Sequence, residues 1–259
     1  MSASCGDDKN ESTYTAAPTT VADTTPEDTT PATDPAPAGG ELAGMKGTTP
    51  LPPELSEDFK ARVVETPTGS ADGGLTDFNY AAETYDAIVI IALAVEAAGT
   101  DGIEHAGFIV YVSTGGDSCT SFAECNEMLA AGADINYDGF SGTDVANGNG
   151  EPLVGVYGVL EFGDDNRIID PTEFITAESP DSAVVEKVAV EGARAGDGVL
   201  SIGSLLPQTG SLAFLGAPMF AGAELAIADI NAAGGVLGED VLYSAGDSGD
   251  TSTDLANQT

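Results

Sequence analysis

At 259 residues, with 42% apolar side chains, the chain is long enough for one large domain or two small ones with a proper core. Seven Lys and Arg stand against 43 Asp and Glu, a formal charge of -36 that repels phosphate backbones and anionic membrane surfaces and excludes nucleic acid as a partner. Acidity spread along the whole chain suits solubility where salt screens self-repulsion, and is equally the mark of an acidic proteome.

Residues 1–44 are rich in Thr, Pro, Ala, Asp and Glu and almost devoid of large aliphatic side chains. They bury too little surface to offset the entropy of ordering, so the composition predicts a disordered tether. The start, Met1-Ser-Ala-Ser-Cys5, resembles the tail of a bacterial lipoprotein signal, in which small residues precede a cysteine that becomes lipidated. No basic region or apolar stretch of roughly 7 to 15 residues precedes it, and Ser2 stands where Leu is usual. The Gly-Asp-Asp and Thr/Pro/Asp-rich spacer after Cys5 are what such proteins carry. Cys5 is therefore the lipidation candidate, and a lipid anchor the expected link to a membrane, with the signal cut away or the start misplaced.

Residues 54–64 and 80–98 read as helices, the second apolar on nearly every side and ended by Gly99, which predicts burial. Its longest uncharged run, residues 87–95 between Asp86 and Glu96, is far short of the ~20 residues a membrane helix needs. A third helix is expected over residues 121–131. Gly132 then opens a loop rich in Asp, Asn and Gly that runs to Gly150. The β-branched and aromatic content of residues 153–162 predicts a strand, followed by a turn at residues 163–166. Residues 170–198 lack strong periodicity apart from a charged helical stretch at 183–195, so residues 181–197 are a linker candidate. Beyond it come a strand at 199–206, a loop at 207–217, a helix at 218–233 with Pro218 in its first turn, and a strand at 241–244. A further helix opens at about residue 252. Strand, helix, strand, helix in this spacing predicts a parallel α/β layer.

Cys119 and Cys125 enclose Thr-Ser-Phe-Ala-Glu, and a close pair of this kind points to an oxidising compartment. Metal binding is the competing reading, but two thiols and the distant His105 make a poor tetrahedral set. Gly246-Asp-Ser-Gly249 imitates the surroundings of a serine-protease nucleophile, yet His105, the sole histidine, sits in Ile-Glu-His-Ala-Gly with no pattern that would make it the base. Asp134, Asn136 and Asp138 before Gly139 imitate the opening of a calcium loop, but Val145 occupies the position of its bidentate carboxylate. No phosphate loop, HExxH or nucleotide fingerprint is present. The expectation is a protein that is not an enzyme and uses no cofactor or metal.

Residues 198–259 resemble the amino-terminal start of the type I periplasmic binding family for branched-chain amino acids. The likeness is carried by Leu206-Pro-Gln-Thr-Gly210, Gly216, Gly222, Ile230-Asn-Ala-Ala-Gly-Gly235 and the turn containing Asp247. Residues 45–180 resemble the carboxy-terminal portion of the same family. There the likeness rests on Gly44-Met-Lys-Gly-Thr-Thr49, Tyr80-Ala-Ala-Glu-Thr-Tyr-Asp-Ala87, Cys119-Thr-Ser-Phe-Ala-Glu-Cys125, Asp134-Ile-Asn-Tyr-Asp-Gly-Phe-Ser-Gly142 and Tyr157-Gly-Val-Leu-Glu-Phe-Gly163. The order is reversed and the family's middle is missing, as in a tandem protein with a shortened second unit, a permutation with deletion, or a gene-assembly artefact.

The resemblance implies an α/β fold of the type I periplasmic-binding-protein kind, a parallel sheet flanked by helices in an incomplete two-lobe architecture. It implies the solute-binding component of an ABC importer, extracytoplasmic as a cell-envelope lipoprotein or periplasmic protein, with an amino acid as ligand and a transporter permease as partner. It places the ligand loop at residues 209–216. Thr209 belongs to that loop, Leu215 stands where the family presents a side chain to the ligand, and Gly216 lets the backbone approach. Packing of the lobe by Phe214 and Leu215 is the competing reading. In an exported family of this kind the Cys119 and Cys125 pair is expected as a local disulfide. A cell-surface structural or ligand-sensing module derived from the same fold is the second functional reading.

Overall fold

The computed structural model describes residues 40–50, 55–142, 154–169, 173–178, 192 and 194–250. In chain order the strands and helices are β1 (Lys46–Pro50), α1 (Glu57–Glu65), α2 (Ala81–Ala98), β2 (Asp117–Cys119), α3 (Phe122–Ala130), β3 (Ile135–Tyr137), β4 (Val154–Phe162), β5 (Ile168–Ile169), β6 (Phe174–Glu178), β7 (Ser201–Leu206), α4 (Ala213–Ala232) and β8 (Leu242–Asp247).

The core is built around α2. Ala81, Ala82, Val89, Leu93 and Val95 are fully buried on different sides of it, as an all-round apolar pattern requires. Each buried aliphatic side chain of Val or Leu size is worth about 1.5–3 kcal/mol. Gly99 ends the helix in the left-handed conformation. Ser56 and Ser121 cap α1 and α3 by accepting from Phe59 N and Glu124 N, which satisfies first-turn donors.

Against α2 lies α4, whose Ile230, Ala226 and Ala223 enter the same core. A Cβ on Gly222 would stand 2.2 Å from the Ala81 carbonyl oxygen, so the two helices approach as closely as only glycine allows. By length and composition α4 could cross a membrane, but half of it is buried inside this fold, as befits a core helix. It begins at Ala213, five residues before the expected start, and Pro218 therefore lies inside it and is buried, instead of opening it. Pro218 is the sixth residue of α4, so the helix gives up the one bond its nitrogen would have made to the Phe214 carbonyl.

The sheets differ from the expectation of one parallel layer. β7 and β8 are parallel, in register from Ser201 opposite Leu242 to Leu206 opposite Asp247, as strand, helix, strand predicted. β2 and β3 form a second parallel pair. Among the described residues the largest sheet is antiparallel, with β4 flanked by β1 on one side and by β5 and β6 on the other. The Gly163–Asn166 turn explains this, since Asn166 N donates to the Gly163 carbonyl and Asn166 takes a left-handed φ of 60°. β3 lies inside the expected 132–150 loop, and β6 inside the stretch without strong periodicity. Both are too short and too polar at their borders to show a period of two.

Residues 40–44, expected as the end of the tether, form a turn bonded to β4 and its hairpin through Gly40 N to Asp164 O and Gly44 N to Phe162 O. The rest of the tether with Cys5, and the helix expected from residue 252, lie outside the described residues. So does most of the helix expected at 183–195; Gly192, Arg194 and Ala195, which are described, are not helical.

Candidate functional site

β7 and β8 end side by side, and the chain leaves β7 through Pro207 to enter α4. This is the end of a parallel strand pair where α/β proteins place their ligands. Gly216 is buried, and a Cβ there would meet the Pro207 carbonyl oxygen at 1.9 Å, so only glycine lets the first turn of α4 fold back onto the end of β7.

The loop is braced by a carboxylate that sequence reasoning did not single out as a site residue. Asp247, the last residue of β8, accepts from Gln208 N at 2.9 Å, from Thr209 N at 3.1 Å and from the Thr209 hydroxyl at 2.6 Å. It also accepts from Gly249 N at 2.8 Å. The Thr209 hydroxyl first, and these backbone donors with it, hold its pKa down to about 2. Asp250 adds a bond from Ser211 N. In the sequence the turn containing Asp247 entered only as part of the family likeness; its bracing role depends on β8 lying beside β7.

Thr209 thus spends its one hydroxyl proton on Asp247 and keeps only acceptor capacity. Leu215 is half-buried and Phe214 is 66% exposed, so Phe214 does not pack the lobe. Leu212, at the head of α4, offers no side-chain cap, and the first turn carries no acidic residue. The anion nearest the positive end of the helix dipole comes from outside α4, the Asp250 carboxylate on Ser211 N.

The remaining sequence candidates are structural. Cys119 and Cys125 form a disulfide with their Cα atoms 5.3 Å apart, tying the end of β2 to α3. His105 Nδ1 bonds the Gly102 carbonyl within a short 3-10 helix, and Asp134 to Asp138 contain β3 instead of a ligand loop. A cleft of about 280 Å³ between the ends of α2 and α3, lined by Glu96, Tyr111 and Asn126 among others, shares no residue with the 207–216 loop.

Strand, braced loop and helix coincide with the segment that comparison with known proteins identifies. Residues 199–259 match the periplasmic binding protein family, whose members are generally binding proteins found outside the cytoplasm and not enzymes. Within it, 51 residues are 49% identical to the Leu/Ile/Val-binding protein homolog 8 of Brucella abortus (strain 2308), and the same holds for that of Brucella suis biovar 1 (strain 1330). The match covers 20% of this chain and 13% of each relative's length. No solved structure matches. The resemblance to type I periplasmic binding proteins therefore holds on the segment that carries the loop.

Proposed function

We propose that the chain is a solute-binding component of an ABC importer that takes a small zwitterion of the branched-chain amino acid type. The observation that carries this reading is the pairing of opposite charge features at one end of the β7–α4–β8 unit. Asp247 with the Thr209 oxygen suits an ammonium group, and the uncapped start of α4 suits a carboxylate. Leu215 then offers apolar contact to the ligand's side chain, and Gly216 supports the loop by letting α4 close onto Pro207. The relatives' printed names support the ligand class. A permease is the partner this reading assigns, and Cys5 its lipid anchor. Residues 45–180 and 198–259 remain, on this reading, carboxy-terminal and amino-terminal portions of binding-protein units joined by a linker at 181–197.

A binding protein gains affinity by enclosing its ligand between two lobes, and one loop offers few bonds against an association cost of about 4 to 15 kcal/mol. The chain alone is therefore expected to bind leucine, isoleucine or valine with a Kd weaker than about 1 mM. The shared core of the two portions favours a second reading, a ligand-sensing or structural cell-surface module, because it needs no cleft. Thermal unfolding separates the two. Joined to the central part of the Brucella abortus relative, the chain should gain melting temperature with leucine, and the absence of any gain would leave the module reading in place.

A further inference from the structure

The two portions meet through an interface that is both buried and specifically paired. Ile230 and Ala226 of α4 share the core of α2, and Gly222 rests on the Ala81 carbonyl. Polar ties surround these apolar contacts. Asp229 of α4 takes the Arg62 guanidinium on one oxygen and the Tyr85 hydroxyl, at 2.6 Å, on the other. Glu224 takes Thr68 N and the Thr68 hydroxyl at 2.8 and 2.6 Å. At the far end Glu96 of α2 accepts from Leu237 N at 2.7 Å. Asp101 accepts from Asp197 N and Gly198 N at 3.1 and 2.8 Å, which fixes the entry into the 194–250 segment.

Each of these carboxylates meets a donor from the opposite portion, so separation would exchange every charge-assisted bond for weaker ones to water and expose the apolar centre. A covalent tether raises the local concentration of such a segment to about the millimolar range, which a weak interface would need. This one has the apolar centre, polar rim and satisfied donors of an interface that holds without a tether.

We propose that the α1–α2 face is a docking surface for the 194–250 unit as such, independent of the connection through residues 179–193, and that the partner it fits is that unit from a second copy of this chain. The proposal rests on packing alone and not on the ligand reading. Exchange of an identical element between copies needs no new contact, because each copy presents the same face and the same unit.

The test uses the full chain with one specific protease site inserted between residues 185 and 186. After cutting, in about 0.15 M salt so that screening acts over ~8 Å, the two pieces are expected to leave a sizing column together. Cut protein labelled with heavy nitrogen, mixed with unlabelled cut protein, is expected to give hybrid heavy and light complexes approaching about half of the total. Two separate peaks, or co-elution without hybrids, would overturn the proposal. Gly222→Leu should release the smaller piece outright. Because that variant's side chain meets backbone, Arg62→Ala is the gentler companion, expected to raise the concentration at which the pieces part by about tenfold. An unchanged parting concentration in Arg62→Ala would show that the paired carboxylates do not hold the interface.

Discussion

Two regions of this molecule handle apolar residues in opposite ways. In α1, α2, α3, α4 and the strands packed on them, apolar side chains converge on one core, and the carboxylates of Asp86, Glu224 and Asp229 are matched to donors, although one buried oxygen of Glu83 is not. In the antiparallel sheet of β1, β4, β5 and β6, no residue belongs to that core. There Ile168, Ile169 and Ile175 are about half exposed, at 52%, 50% and 47%. Pairing strands satisfies the backbone in both regions, but burial is what stabilises, and only the first region has it.

The largest effect should come from a single buried carboxylate in the first region. Asp86 of α2 accepts from the Tyr137 hydroxyl at 2.8 Å, Phe140 N at 3.1 Å and Ser141 N at 2.7 Å, so it holds the 137–141 loop to the core. Asp86→Ala should cost about 3 kcal/mol by orphaning buried donors, whereas Ile175→Thr in the sheet should stay within about 0.5 kcal/mol. Denaturant unfolding of both variants checks this, and equal losses would erase the contrast between the regions.

Burial raises the Asp86 pKa above the ordinary carboxylate range, outweighing the donors that lower it. Its linked contribution is fully present below about pH 4 and is lost as pH rises through its folded pKa.

Reduction of Cys119–Cys125 comes next. The bridge closes a short loop, and removing it should cost about 2 kcal/mol on the chain-entropy estimate. A melting curve with and without reductant measures it. Within the same series, molar potassium chloride should raise the unfolding midpoint, because ions screen the self-repulsion of a chain at -36. A flat or falling midpoint would show that the acidic residues repel one another too weakly to matter.

These predictions also mark what the sequence made legible. α2 was readable because it is apolar on nearly every side and ends at Gly99, and β4 because β-branched and aromatic residues cluster in it. Asp86 was visible only as the charged border of an apolar run, since its donors come from residues 137–141 and only the tertiary fold brings them there. β2, β3 and β6 lacked the length for an alternating pattern. The start of α4 was misplaced because Pro218 looked like an opening residue, and the turns before it are uncapped. In the candidate site Thr209, Leu215 and Gly216 came from the family resemblance. The brace at Asp247 did not, because it depends on β8 lying in register beside β7.

The smallest effect is confined to that brace. With its pKa held near 2, the Asp247 carboxylate keeps its bonds to Gln208 and Thr209 from above about pH 4, the unfolded range, and loses them as pH falls through about 2. Its side-chain carbon resonance should titrate with that midpoint in nuclear magnetic resonance, and a midpoint near 4 would mean that the loop is not braced.

The most direct test of the account is whether the 209–216 loop faces the ligand. The protein joined to its relative's central part should be titrated calorimetrically with leucine, in parallel with a Leu215→Asp variant whose circular dichroism matches the parent. The account predicts at least about a hundredfold weaker binding in the variant, as a misplaced charge at a ligand-contacting position demands. Equal affinity in the two proteins would contradict it.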